Sequence, residues 1–122
     1  MLKKTIVYTD FNGTERTEDH YFNLTEADLI EMETGVTGGL SEMLNGIINA
    51  KDQAALIKFF KDLILKSYGI KSPDGKTHDK SEKISHDFAC SGAYPVLFME
   101  LATDADAATA FVKGIIPAKY NQ

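Results

Sequence analysis

The sequence predicts an α+β fold: an N-terminal β-hairpin followed by a bundle of five or six mostly short α-helices around a central helix near residues 52–68. Three observations carry this. Residues 3–24 hold two strand-forming stretches either side of Asn12-Gly13, and Asn-Gly is the strongest short hairpin signal because both residues tolerate the positive φ of a type I′ turn. Residues 51–70, KDQAALIKFFKDLILKSYGI, set Leu56, Phe59, Phe60, Leu63, Ile64, Ser67 and Tyr68 at three- and four-residue intervals, which stacks them on one helix face; Lys58, Lys61, Asp62 and Lys66 take the other. Further on, Ser81 and Thr103-Asp104 precede apolar runs of helical period, as N-caps do.

Each element follows from its residues. Ile6, Val7 and Tyr8 form strands readily, and over residues 15–24 Thr17, Asp19, Tyr21 and Asn23 alternate against Glu18, His20, Phe22 and Leu24. A lone two-stranded hairpin is marginal, so it must pack on helices or pair with another edge. Thr25 with Asp28 reads as a capping box that opens a helix to about residue 34. Gly35, Gly38 and Gly39 break the chain, and Met43, Leu44, Ile47 and Ile48 mark a second short helix over 41–50, interrupted by Gly46.

Asp52 caps the central helix, and Gly69 before apolar Ile70 reads as the left-handed residue of a Schellman ending. Burying two phenylalanines, two leucines and an isoleucine there gives about 10 kcal/mol of gross driving force. Residues 71–81 carry the turn Pro73-Asp74-Gly75 and read as the most exposed and mobile stretch. Ser81 opens a helix to about residue 92 with Ile84, Phe88 and Ala89 inward, and Tyr94-Pro95 starts another that packs Val96, Leu97, Phe98 and Leu101. Thr103 or Asp104 caps the last helix, with Ala107, Ala110, Phe111 and Ile115 apolar, and Gly114 and Pro117 end it. The expected organisation is a single domain over 1–122, with the hairpin at 3–24, a helical part at 25–116 and a frayed tail at 117–122.

Composition narrows the function classes. With 43% hydrophobic and 25% charged residues the chain matches folded proteins rather than disordered ones. No apolar run approaches 18 residues and the start, MLKKTIVYTD, alternates where a leader would have an apolar block, so a soluble cytosolic protein without a membrane partner is expected. A net charge of −5 argues against nucleic acid, which needs clustered Lys and Arg. The charge is uneven: residues 15–33 carry seven acids against Arg16, and residues 51–83 carry eight lysines against five acids, so the local balances are −6 and +3. Such segments are solvated faces, or they steer one copy onto another or onto a charged partner. The single cysteine, Cys90, is expected to be a half-buried apolar residue.

A catalytic or metal constellation does not emerge. His20, His78 and His86 fall in an expected strand, a loop and a helix start, with no His pair at i,i+4 and no CxxC. His78-Asp79 and His86-Asp87 are adjacent pairs, which do not face each other on a helix. The glycines at 35, 38 and 39 lack the lysine and hydroxyl of a phosphate loop, and Asp104-x-Asp106 is followed by alanines rather than by more oxygen ligands. No cofactor is expected.

Several stretches together resemble the tail assembly chaperones of siphophages and prophages of low-GC Gram-positive bacteria. The carriers are Tyr8-Thr9-Asp10-Phe11-Asn12-Gly13, Glu15-Arg16-Thr17-Glu18, Tyr21-Phe22-Asn23-Leu24-Thr25, Phe59-Phe60-Lys61, Ser67-Tyr68-Gly69, Ser72-Pro73-Asp74-Gly75-Lys76, residues 97–104 (LFMELATD) and residues 111–117 (FVKGIIP). The resemblance implies a non-enzymatic protein of the host cytoplasm that holds the long tape measure protein soluble while tail tube subunits assemble. It also implies contacts with the tape measure protein, with the tail tube protein as a second possible partner; a homo-oligomer is expected separately, from the unpaired edge of the hairpin and the opposite charges of the −6 and +3 segments. Candidate contact residues are Leu65, set among the lysines of the central helix, with Lys58 and Lys61, and Tyr21 and Phe22 on the second strand. The competing readings are a structural component of the tail or head–tail junction and a protein that meets a host defence factor.

Overall fold

Alternation in the first 22 residues builds the sheet. In the computed structural model, which describes residues 1–31, 45–46 and 49–117, β1 (Leu2–Thr9) and β2 (Glu15–Phe22) pair antiparallel along their whole length, from Leu2 opposite Phe22 to Thr9 opposite Glu15. Leu2, Lys4, Ile6 and Tyr8 turn towards the helices, and Lys3, Thr5, Val7 and Thr9 are exposed on the other face.

The connecting turn differs from the expected type I′. Gly13 alone has positive φ, +83°, while Asn12 keeps a negative one. The Gly13 N–H donates to the Asp10 carbonyl at 3.0 Å and the Asp10 N–H to Thr14 O at 2.9 Å, a three-residue loop with glycine at its left-handed position. Asp10 selects this form: its Oδ1 accepts from the Asn12 and Thr14 N–H groups at 2.9 Å each, and its Oδ2 accepts from Arg16 Nε at 2.6 Å.

α1 (Glu26–Glu31) has the expected reciprocal capping box, Asp28 N–H to Thr25 Oγ1 at 3.0 Å and Thr25 N–H to Asp28 Oδ2 at 2.8 Å. The expected end of that helix near 34, the glycine break at 35–39 and most of the helix over 41–50 lie outside the described residues. The central helix α2 (Gln53–Ser67) opens as expected on Asp52, whose carboxylate accepts from the Ala55 N–H at 3.1 Å, and buries Phe59, Phe60, Leu63, Ile64 and Ser67.

Its end overturns the Schellman reading. The chain leaves Ser67 in extended conformation as β3 (Tyr68–Lys71), which pairs antiparallel with β2, Tyr21 opposite Gly69 and Phe22 opposite Tyr68. Residues 71–81, exposed at 73–77 as expected, form the turn and second strand of a hairpin. β4 (His78–Asp79) pairs with β3, the turn between them closes through Ser72 N–H to Thr77 O at 2.9 Å and Gly75 N–H to Ser72 O at 3.0 Å, and Gly75 sits at φ +77°. The result is one four-stranded antiparallel sheet in the order β1-β2-β3-β4, where the sequence suggested a two-stranded hairpin.

Three helices complete the described chain. α3 (Glu82–Ala89) is capped by Ser81, which accepts from Ile84 N–H at 3.3 Å, and it stops at Cys90 instead of reaching 92. α4 (Ala93–Thr103) follows Gly92, where a Cβ would lie 2.9 Å from the Thr9 carbonyl oxygen. α5 (Ala105–Ile115) is capped by Asp104, which accepts from the Asp106 and Ala107 N–H groups at 3.0 and 3.1 Å. α5 ends between Gly114 and Pro117, as expected, and Gly114, in its last turn, lets the helix approach Leu2. Val96, Ala110 and Cys90, expected inward or half-buried, are exposed.

The core runs from Ile6 on the sheet to Ile116 beyond α5. Its centre is aromatic: Phe22 meets Phe111 edge-on with ring centroids 5.4 Å apart and Phe88 at 5.8 Å, and Phe88 stacks on Tyr68 at 4.0 Å. The last carbonyl of α5, on Ile115, accepts from the Leu24 N–H at 2.7 Å, which ties the chain's two ends of this core together.

Candidate functional site

The five residues that sequence reasoning offered to a partner separate in the structure. Lys58 and Lys61 are exposed together on the outer face of α2. Leu65, expected beside them, is partly buried and packs against the core. Tyr21 lies on the outer face of the sheet with Lys71 Nζ 5.6 Å from its ring centroid. Phe22 is fully buried at the aromatic centre, so it holds the fold and offers nothing to a partner in this conformation.

The exposed apolar residues are others. Phe11, 86% exposed at the tip of the first hairpin, is held there by the Asp10-centred turn. Ile57 on α2 and Val96 and Met99 on α4 stand out from their helices, and Val7 from the outer face of β1. Phe11 was legible as an aromatic inside turn punctuation. Val96 and Met99 were not, because α4 is apolar almost all round and only its packing separates inside from outside.

Between the sheet and α3 lies a cleft of about 220 Å³. Tyr8, His20, Tyr68 and Phe88 supply its aromatic walls, Glu18 and Asp87 its carboxylates. The Tyr8 phenol donates to Glu18 Oε1 at 2.7 Å, a bond that raises its pKa, with burial adding to the rise. Burial lowers the pKa of His20, against the opposing pull of Glu18 and Asp19. Its Nε2 is enclosed without a hydrogen-bond partner, 3.5 Å from Glu18 Oε1. Strand alternation places Glu18, His20 and Phe22 on the same inward face, which is how a carboxylate and an imidazole come to line an otherwise aromatic wall.

The remaining reactive groups do not assemble. His78, in β4 rather than in a loop, donates from Nε2 to the Ser67 carbonyl at 3.2 Å, joining the second hairpin to the end of α2. His86 falls in the last turn of α3, 3.6 Å from the Cys90 thiol, with both side chains exposed and, among the described residues, no third group orienting them. Among the described residues no group of three His, Cys, Asp or Glu can hold a metal ion, and no helix is long and apolar enough to cross a membrane.

What the described surface offers is contact: apolar side chains on well-braced elements, flanked by charge. The chain belongs to the phage tail assembly chaperones; the sequence model of that family matches residues 1–122, the whole of it. No curated protein and no solved structure matches it.

Proposed function

We propose that this protein binds the tape measure protein of its phage and keeps it soluble while the tail assembles, without catalysing a reaction. The observation that carries the reading is family membership over the full chain. The exposed Phe11, Ile57, Val96 and Met99 support it, because a long partner with apolar helical stretches is held by apolar side chains that meet it without unfolding. The net charge of −5 keeps such a complex in solution. The tail tube protein is a second partner, and the site of action is the host cytoplasm. Co-expression with the tape measure protein tests this: the partner is soluble and co-purifies in the presence of the chaperone and sediments without it. A partner equally soluble alone overturns the reading.

Self-association belongs to the same proposal. Among the described residues β1 ends the sheet order, and a strand with an unpaired side accepts a strand from a second copy. Several small copies then cover one long partner multivalently. The same edge favours the alternative of a structural tail component, and purified virions separate the two: a chaperone is absent from the finished particle and a structural component is retained.

A further inference from the structure

An apolar contact surface leaves one feature unused, the acidic aromatic cleft between the sheet and α3. We propose that this cleft receives a lysine or arginine side chain presented by a protein partner. Three aromatic rings, Tyr8, Tyr68 and Phe88, line it; Tyr68 and Phe88 stack on each other, so the rings give an apolar wall for the stem of a long side chain and the carboxylates give the attraction for its charge. The two carboxylates add charge of the right sign. Glu18 accepts one hydrogen bond at Oε1, from Tyr8, while Arg16 Nη1 stays 3.7 Å from Oε2, beyond hydrogen-bond distance. A carboxylate has about four lone-pair positions, so Glu18 has acceptor capacity left. Asp87 is paired at 2.8 Å with Lys83, but that pair is an i,i+4 contact between exposed side chains, which an incoming cation displaces at little cost.

His20 lines the same wall. Its Nε2 is enclosed 3.5 Å from Glu18 Oε1 without a hydrogen-bond partner, so an N–H donor arriving in the cleft is bound by the Glu18 carboxylate and not by the ring. Other occupants fit worse. An anion meets two carboxylates, and an apolar group strips water from Glu18 and Asp87 without replacing its hydrogen bonds. Ile70, exposed at the rim, points to a residue of a protein rather than to a free amine, since the methylene stem of lysine or arginine lies along apolar surface while its charged head goes deeper. The partner's identity rests on the chaperone reading; the chemistry of the cleft does not.

The test is an amide-shift titration of the ¹⁵N-labelled full chain with the capped tripeptides Leu-Lys-Leu and Leu-Arg-Leu, with Leu-Gln-Leu as the uncharged control and spermidine as the free cation. Saturable shifts at Glu18, His20, Tyr68, Ile70 and Asp87 with the basic peptides, absent with Leu-Gln-Leu and lost in Glu18→Gln, support the proposal. Glu18→Gln keeps an oxygen for the Tyr8 phenol, and the dispersion of its spectrum reports whether it folds. Asp87→Asn, at an exposed position, is the second variant should Glu18→Gln unfold. Equal shifts with the glutamine peptide, or undiminished binding by the folded variants, overturn the cleft as a cation site; equal shifts with spermidine overturn the protein source. Co-expression separates the two proposals. A tape measure partner held soluble by both variants as well as by the unaltered chain leaves the chaperone reading standing and removes the cleft from it.

Discussion

Gly69 leaves the space across which Lys80 reaches Asp28. A Cβ on Gly69 would lie 2.8 Å from Lys80 Cγ, 2.8 Å from His78 Nε2 and 2.6 Å from the Asp79 carbonyl oxygen. Past that point the Lys80 ammonium donates to the Asn23 carbonyl at 3.1 Å and to the Asp28 carboxylate, so β4, the end of β2 and the cap of α1 are joined over one missing side chain. Gly69→Ala is therefore expected to destabilise by about 1–3 kcal/mol, the range for forcing extra volume into a filled site. This exceeds the roughly 1 kcal/mol expected had Gly69 been a helix cap. Urea midpoints of the two proteins measure it, and a neutral result would show that the sheet gives way without cost.

Periodicity identified α2 and its buried face, and local capping chemistry identified Thr25, Asp52 and Ser81 and narrowed the last cap to Thr103 or Asp104, of which the structure uses Asp104, because both signals are carried by residues close together in the chain. Tyr68-Gly69-Ile70-Lys71 carries two meanings. Glycine then isoleucine after an apolar helix fits a Schellman ending, and only pairing with Tyr21 and Phe22, more than forty residues away, makes it a strand. The cleft was illegible for the same reason: Glu18, Tyr68 and Asp87 come together through β2–β3 pairing and the docking of α3.

Phe60 is 1% exposed on α2 and meets Phe59 edge-on at 5.3 Å. Phe60→Ala leaves a cavity that its neighbours close only in part, and the expected loss is about 3–5 kcal/mol. For a domain of this size that is a large share of the total stability. A thermal or urea transition unchanged from the parent would remove this face of α2 from the core.

Stability should fall as the solution is acidified below neutrality. His20 and His78 both have lowered pKa values, burial being the main cause in each, because desolvation disfavours the charged ring. The unfolded chain takes up these protons first, near the ordinary value of 6.5. The two histidines' contribution is therefore whole above that value and is lost as the pH falls from there through the lowered folded values. Urea midpoints at pH 7.5 and 5 measure the drop, and His20→Gln is expected to flatten it. A profile that is level over this window in the parent protein would contradict the burial of both rings.

Asp28 acts in the other carboxylate range. Burial tends to raise its pKa, but the hydrogen bonds from Lys80 and from the Thr25 N–H outweigh that and hold it below the usual value of 3.8. A depressed carboxylate contributes stability above its unfolded pKa and loses it as the pH falls through the folded one. Asp28→Asn should be less stable than the parent at pH 7, and the gap should close below about pH 3.8, where the parent's own carboxylate protonates. A gap of constant size down to pH 2 would mean that Asp28 acts through packing and not through charge.

The functional surface is tested by separating contact from fold. Phe11→Glu, Ile57→Glu and Met99→Glu change side chains that are at least half exposed, and exposed substitutions usually shift stability by about 0.5 kcal/mol or less. Each should leave the thermal transition nearly unchanged and, combined, should lower the fraction of tape measure protein recovered in solution on co-expression. Leu65→Glu is the informative contrast. Because Leu65 packs against the core, the charge destabilises the chaperone itself, so any loss of holding there is accompanied by a loss of fold. Cys90→Ser and His86→Ala alter an exposed pair outside the apolar set and should leave holding intact, whereas His78→Ala removes the bond to Ser67 and should lower stability without abolishing it. Full holding by the triple variant in a folded state would exclude these apolar residues as the contact surface, and abolition of holding by Cys90→Ser alone would point instead to thiol chemistry at the end of α3.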